Sequence, residues 1–406
     1  MCRKIEVKNF GPIKYIDIKV KPLTILIGKS GTGKSALMKL IHCLNTLITF
    51  ISFTNIEEKL DIFDKNKILE FDLLEFDLLE FDLNEEGFRN IFKNFEIEVF
   101  LNNETEITYH CDNIFIEIKN NKIKAPYSKC KTLMEQSFIS DLRYMIPEIL
   151  NYNIDHTLRL SDILNNTMEY FIRSLKFHKN SFKLEIFEME LLKKQNRVSN
   201  EFILKTDDYA INYNSASSGI KSTSIIEAII SYLTQQTLQE RKNNFKNHLS
   251  RISKSELDNI TKDFQTSIFI EEPELSLFPQ DQQKILYFIL KSFLQPKVNP
   301  KECNKLNFII STHSPFILYC LSNILLGAKK HKELNLFTMG KVEDIIPKEL
   351  LYLDIEEIEI YKLEEGKAMT ILDKKEYCIN TEYIDKTAED ISQDYISLLN
   401  LENEFD

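Results

Sequence analysis

Gly28-Lys29-Ser30-Gly31-Thr32-Gly33-Lys34-Ser35 satisfies the pattern G-x-x-x-x-G-K-[ST] at every position. Ahead of it, Leu23-Thr24-Ile25-Leu26-Ile27 reads as a buried strand. Behind it, Leu37, Leu40, Ile41, Leu44, Leu47 and Ile48 recur at helical spacing. A strand, a glycine turn and a helix N-terminus aim backbone N–H groups at an anion, and the glycines let the chain wrap a phosphate closely. Lys34 is placed to reach the β/γ oxygens and Ser35 to hold Mg²⁺. A chance glycine turn would explain the octet but not both flanks. Gly28, Lys29, Ser30, Gly31, Thr32, Gly33, Lys34 and Ser35 are therefore expected to surround the phosphates of a nucleoside triphosphate.

Composition narrows the classes. At 406 residues the chain is long enough for a full core and reads as two lobes. A net charge of −11 argues against a general nucleic-acid coat and leaves room only for a local basic patch. The seven cysteines (Cys2, Cys43, Cys111, Cys130, Cys303, Cys320, Cys378) include no C-x-x-C pair. That usage fits a reduced cytoplasmic protein, not a disulfide framework or a zinc site. The most apolar stretch, Leu40 to Phe53, carries His42 and Asn45 and is too short and interrupted to span a bilayer. With no signal peptide ahead of the strand-like Ile5-Glu6-Val7, a soluble protein without membrane association is expected.

Residues 1–50 read as strand, Asn9-Phe10-Gly11-Pro12 turn, two further strands, phosphate loop and helix. Leu69-Glu70-Phe71-Asp72-Leu73 is then followed by two more copies of L-E-F-D-L, through Leu83. A period of five keeps the apolar residues on one face of neither strand nor helix, so the repeat reads as a duplicated insert in a surface excursion. Alternation at Phe95, Ile97, Val99, then Ile107 and Tyr109, then Phe115, Ile116 and Ile118 predicts an antiparallel meander over 95–127. From about 130 to 265 the pattern is polar and helical. Basic clusters at Lys176–Lys183, Lys193–Arg197 and Arg241–Lys254 read as solvated faces first and nucleic-acid contacts second. Strands and helices alternate again from Ile268. The fold class is α/β: a core lobe split into 1–130 and 266–406, with a helical lobe at 131–265 inserted between.

Ile268-Phe269-Ile270-Glu271-Glu272-Pro273-Glu274 is an apolar strand ending in carboxylates. Beside a phosphate loop, two adjacent acids can divide labour. Glu271 is expected to hold Mg²⁺ through its water shell, and Glu272 to orient or deprotonate the attacking water. Asn307-Phe308-Ile309-Ile310-Ser311-Thr312-His313-Ser314-Pro315 is a second strand ending at the same rim, from which His313 can reach the γ-phosphate. Between these halves, Asn214-Ser215-Ala216-Ser217-Ser218-Gly219-Ile220-Lys221-Ser222 opens a helical run from Ile225 to Leu238. It reads as a second anion site or as a Ser-rich helix cap.

Phosphate loop, S-S-G signature, I-E-E-P-E strand and S-T-H-S-P turn, in that order, resemble the ABC-type ATPases of the RecF, SMC and OLD group. Ala216-Ser217-Ser218-Gly219-Ile220-Lys221-Ser222 with Glu271-Glu272-Pro273-Glu274-Leu275-Ser276-Leu277-Phe278-Pro279 is most similar to compact bacterial AAA family ATPases of anti-phage systems, the Septu and retron-associated subunits among them. The opening Lys8-Asn9-Phe10-Gly11-Pro12-Ile13 extends the resemblance over most of the chain. It implies an ABC-ATPase-like P-loop NTPase core with an antiparallel β subdomain and an inserted helical lobe, using ATP and Mg²⁺. It also implies a head-to-tail homodimer, or a higher homo-oligomer, with ATP sandwiched between subunits. Lys34 and Ser35 of one chain would then face Ser217, Ser218 and Gly219 of the other. The signature departs from L-S-G-G-Q at Ala216, Ser218 and Ile220. Phe138-Ile139-Ser140-Asp141-Leu142-Arg143 resembles a degraded Y-I-P-A-[ED]-R motif, which offers Arg143 as a weak nucleotide contact.

An SMC-type organiser would need long heptad arms, which are absent, and an ABC transporter subunit is disfavoured by the long inserts. Leu363-Glu364-Glu365-Gly366-Lys367 reads as a plain hairpin, because no D-x-D strand of a nuclease domain follows. Ile384, Ala388, Ile391, Tyr395 and Leu398 form an amphipathic closing helix that either packs on the core or docks a partner. The expected function is the ATPase and regulatory subunit of a bacterial antiviral defence complex, controlling a separate nuclease-like or toxin-like effector. The alternative is a RecF-like DNA-repair ATPase that clamps nucleic acid on ATP-dependent dimerisation. A third and blander reading is an ATP-binding scaffold.

Overall fold

The computed structural model describes residues 3–59, 80–82, 92–111, 114–120, 122–125, 134–151, 160–179, 181–195, 200–236, 264–298, 305–333 and 336–402. From the N-terminus, β1 (Arg3–Phe10), β2 (Ile13–Val20) and β3 (Leu23–Ile27) lead through the glycine turn into α1 (Lys34–Lys59). Next come β4 (Glu80–Asp82), β5 (Glu106–Cys111), β6 (Ile114–Lys119), β7 (Lys122–Lys124), β8 (Met134–Ile139), α2 (Ile146–Asn151) and α3 (Asp162–Phe177). β9 (Ser181–Leu184), β10 (Met189–Gln195), β11 (Asn200–Lys205) and β12 (Ala210–Asn212) precede α4 (Ser218–Gln235). The order continues with β13 (Gln265–Glu271), α5 (Pro279–Val298), β14 (Lys305–Thr312), α6 (Pro315–Glu333), α7 (Leu336–Glu343), β15 (Ile358–Glu364), β16 (Lys367–Thr370) and α8 (Glu382–Glu402).

β3 is buried at every position because it sits inside a parallel block covered on both faces. The main sheet runs β4-β7-β6-β5-β1-β2-β16-β15-β3-β14-β13-β8. Its members from β15 to β8 are mutually parallel. Alternate β3 residues feed opposite layers. Ile25 joins Ile225, Ile229, Leu286, Ile289 and Leu321 from α4, α5 and α6, whereas Leu26 joins Leu37, Ile41 and Leu44 from α1. The antiparallel strands on the other side alternate buried and half-buried or exposed positions, as a sheet with one covered face does. A hydroxyl stitches the two halves: Tyr361 Oη of β15 accepts from Lys19 N–H at 3.0 Å and donates to the Lys19 carbonyl at 3.1 Å.

The α/β class holds, two local expectations change, and one open alternative narrows. Phe95, Ile97 and Val99 form a turn and the 3₁₀ segment Glu98–Phe100 instead of a strand. Glu96 takes a φ of +59°, which breaks the alternation, and Phe100 plugs the N-terminal hairpin by stacking edge-on against Phe10. Residues 131–265 are not helical throughout. β8 joins the main sheet beside β13, and β12-β11-β10-β9 form a separate antiparallel sheet. There, buried Phe182, Leu184, Phe202 and Leu204 alternate with exposed Lys183 and Lys205, so part of the basic character is the solvent face of strands. Finally, Tyr395 and Leu398 on α8 are each 64% exposed, so at those positions the closing helix does not pack on the core.

The third L-E-F-D-L copy contributes β4, an edge strand whose Phe81 pairs with Ile123. The other copies and the Arg241–Lys254 cluster lie outside the described residues. Gly366 sits in the β15–β16 hairpin turn with Glu365, both at positive φ as a two-residue turn requires. Among the described residues, no helix is long and apolar enough to cross a membrane.

Candidate active site

Strand register assembles the site. Thr312 of β14 pairs with Ile27 of β3, Ser311 with Glu271 of β13, and Ile270 with Ile139 of β8. The carboxyl ends of four adjacent parallel strands therefore form one row. Gly28, Ser140, Glu272 and His313 follow directly beyond it, at the edge where α/β sheets bind ligands.

Gly28 cannot carry a side chain, since a Cβ there would lie 2.3 Å from the Leu363 carbonyl oxygen. The loop folds over its own lysine: Lys34 Nζ donates to the carbonyls of Gly28 at 2.7 Å and Lys29 at 3.0 Å. Burial lowers the Lys34 pKa, and the charges of Glu272 and Glu274 oppose that shift. Lys29, Ser30 and Gly31 are exposed at the rim. Pro12 and Ile13 of the opening turn approach within about contact distance of Gly33, so the N-terminal hairpin buttresses the phosphate loop.

Ser35 and Glu271, expected together from sequence, are neighbours. Burial pushes the Glu271 carboxyl up and nearby Asp141 adds to this, while the Ser35 hydroxyl favours the charged form. Glu271 Oε1 is shielded from solvent and has no partner at hydrogen-bond geometry. A buried carboxylate with a spare oxygen next to a hydroxyl fits a divalent cation that also takes phosphate oxygens. Among the described residues, no group of three or more His, Cys, Asp or Glu makes an all-protein cage.

Glu272 and His313 also come together, with Glu272 Oε1 3.2 Å from His313 Nε2 and each side chain about one-third exposed. Glu272 adopts a φ of +44°, an uncommon conformation for a residue with a side chain, and such strain clusters at functional sites. A solvent-accessible carboxylate beside an imidazole and the glycine loop can orient a water and take its proton.

Of two supporting residues, Glu274 escaped the sequence reading and Arg143 entered it in a different role. Glu274 is buried; its Oε1 accepts from Thr312 Oγ1 at 2.7 Å and from His313 N–H at 2.7 Å. Its position in the I-E-E-P-E run was the available signal, but only the first two acids drew attention. Arg143 is fully buried and donates to backbone carbonyls, so it is not presented to a phosphate.

Ser217 caps α4, its hydroxyl accepting from Ile220 N–H, and Ser217 and Ser218 are both exposed. Gly219 is buried, and a Cβ there would lie 2.6 Å from the Ser276 carbonyl oxygen. The signature segment therefore packs on the turn that follows Glu272. Among the described residues, no hydrogen bond joins positions 217–219 to the phosphate loop of the same chain.

A family model described as "AAA domain, putative AbiEii toxin, Type IV TA system" matches residues 23–318, most of the chain, including residues 28–35, 217–219, 271, 272 and 313. The chain belongs to this family. No curated protein matches it in sequence. Among solved structures it is similar to an SMC head bound to the C-terminal winged-helix domain of ScpA (10% identity, TM-score 0.36, covering 91% of this chain and 96% of that one). RecF of the RecFOR pathway, with its nucleotide, matches at 12% identity and TM-score 0.34, covering 91% and 98%. MJ1267, an ATP-binding cassette of an ABC transporter, matches at 13% identity and TM-score 0.32, covering 93% of each chain. The fold of this family member is a mixed α/β sheet, a parallel block around the glycine loop joined to an antiparallel β wing.

Proposed function

We propose that the chain binds Mg·ATP at residues 28–35 and hydrolyses it to ADP and phosphate. The observation that carries this reading is the 3.2 Å approach of Glu272 to His313, on a strand row shared with the phosphate loop and the Ser35–Glu271 pair. Lys34 would leave its loop carbonyls for the β/γ oxygens. Glu272 would accept the proton of the attacking water, and His313 would hold the Glu272 carboxylate and meet charge developing on the γ-phosphate. Ser35 and Glu271 would hold Mg²⁺, which when bound neutralises phosphate charge.

The exposed Ser217 and Ser218 at a helix start support a trans role, in which they and Gly219 contact the nucleotide of a second copy in a head-to-tail dimer. The family description names a toxin–antitoxin system, which supports a defence setting in which this ATPase controls a separate effector chain. The test pairs equilibrium ATP binding with single-turnover hydrolysis for wild type and Glu272→Gln. Binding should persist in the variant while hydrolysis slows by about 10²–10⁴-fold. An unimpaired variant would move the base elsewhere. Mass spectrometry of what co-purifies with Glu272→Gln and Mg·ATP from the native gene neighbourhood tests the effector: a stoichiometric nuclease-like or toxin-like chain is expected, and a protein that arrives alone or with DNA refutes it.

A further inference from the structure

Arg143 has no exposed surface, yet it spends its terminal nitrogens on three backbone carbonyls. One terminal nitrogen donates to Ser140 O at 2.9 Å and Glu271 O at 2.7 Å, and the other donates to Glu272 O at 2.7 Å; Nε has no partner. Two of those carbonyls flank the Cα of Glu272. The N–H of Glu272 is held by the Ser311 carbonyl at 2.9 Å. Both peptide planes around Glu272 are thus fixed, one on each side, while its φ sits at +44°. With the flanking planes fixed, the Cα–Cβ direction is fixed too, and it points the carboxylate at His313.

We propose that Arg143 is a positioning residue for hydrolysis, a guanidinium clamp that holds the Glu272 backbone in its left-handed turn so that the carboxylate faces the attacking water. The proposal rests on the ATPase reading above. It replaces the direct nucleotide contact that the motif resemblance offered, because the forked donors are turned toward the strand end. It also gives the charge a reason. Arg143 sits among Glu274, Asp141, Glu271 and Glu272, so one buried cation offsets the carboxylates crowded at this rim. Lysine cannot substitute: a single ammonium on a flexible stem lacks the planar fork that spans carbonyls on two strands.

The experiment measures single-turnover hydrolysis and Mg·ATP affinity for wild type, Arg143→Lys, Glu272→Gln and the double variant. Arg143→Lys should lose about 10- to 100-fold in rate, the range that a misplacement of about 1 Å produces, with ATP affinity within about twofold of wild type. In the Glu272→Gln background the same substitution should change the residual rate by less than about twofold, because the group it positions is already gone. Wild-type rates in Arg143→Lys would overturn the proposal, and so would an equal loss in both backgrounds. If Arg143→Lys loses ATP binding, Arg143→Gln is measured by the same criteria; loss of binding there too assigns a purely structural role and overturns it. A wild type that binds but never hydrolyses removes the ATPase reading itself. An active wild type, an inactive Glu272→Gln and an unimpaired Arg143→Lys remove only the clamp.

Discussion

Glu227 sits within α4, among core isoleucines and with no exposed surface. Its Oε2 accepts the Glu185 N–H at 2.6 Å, which ties α4 to the turn between β9 and β10, and its Oε1 has no partner. Burial pushes the carboxyl from 4.5 up to about 8, against the pull of the Glu185 and Ile186 N–H groups toward the charged form. The folded state then keeps a proton that the unfolded chain releases, so stability falls as pH rises from about 4.5 to about 8 and levels off beyond. Each unit crossed is worth about 1.4 kcal/mol, and between pH 5 and pH 8 the loss is about 3 kcal/mol. For a cooperative chain of this size that corresponds to a fall of ~4 °C in Tm. Glu227→Gln stays neutral and keeps an oxygen for Glu185. Thermal unfolding of both proteins at pH 5, 6.5 and 8 should show wild type losing ~4 °C more than the variant across the range. Parallel pH profiles would refute a protonated Glu227.

Other substitutions test the remaining geometry. Gly219→Ala places a Cβ 2.6 Å from the Ser276 carbonyl, so a loss of about 1–3 kcal/mol is expected in denaturant unfolding; unchanged stability would mean that the helix start stands clear of the turn. Lys34→Ala should abolish Mg·ATP binding in equilibrium dialysis, and retained affinity would remove residues 28–35 from the site. Ser217→Arg should block ATP-dependent dimerisation in light scattering, in the Glu272→Gln background, without harming binding to the monomer. A variant that still dimerises would refute the sandwich.

The parallel block was legible because burial on both faces writes itself as continuous apolar runs, as at Leu23–Ile27 and Ile268–Ile270. The glycine loop between β3 and α1 was legible because Gly28, Gly31 and Gly33 all take positive φ there, and Gly28 also lies too close to the Leu363 carbonyl for a side chain. The segment around Phe95–Val99 was misread because apolar alternation carries no information about a residue such as Glu96 that turns the chain at positive φ. The β9–β12 sheet was hidden for a related reason: its lysines alternate with Phe and Leu over runs of only a few residues, where strand and helix periods are hard to separate.

Within the site, the residues whose placement at the rim sequence anticipated end apolar strands or lie in the glycine loop, whereas the backbone contacts of Arg143 and Glu274 were not anticipated. Glu272 and His313 end apolar strands, so their shared place at one rim can be inferred from position alone. Arg143 and Glu274 bind peptide groups brought near by register, and nothing in Ser140-Asp141-Leu142-Arg143 announces that Ile139 will pair beside Ile270. Their actions are complementary. Arg143 fixes the carbonyls on both sides of the Glu272 Cα, and Glu274 fixes the N–H of His313 and the hydroxyl of Thr312. Each member of the Glu272–His313 pair is thus held through its main chain by a buried ionisable side chain from elsewhere in the rim. Burial removes competing water, so the hydrogen bonds these side chains make are stronger than the same bonds at a surface. The 3.2 Å separation of carboxylate and imidazole is accordingly a consequence of strand register plus two clamps, which is why it can persist although both side chains are one-third exposed.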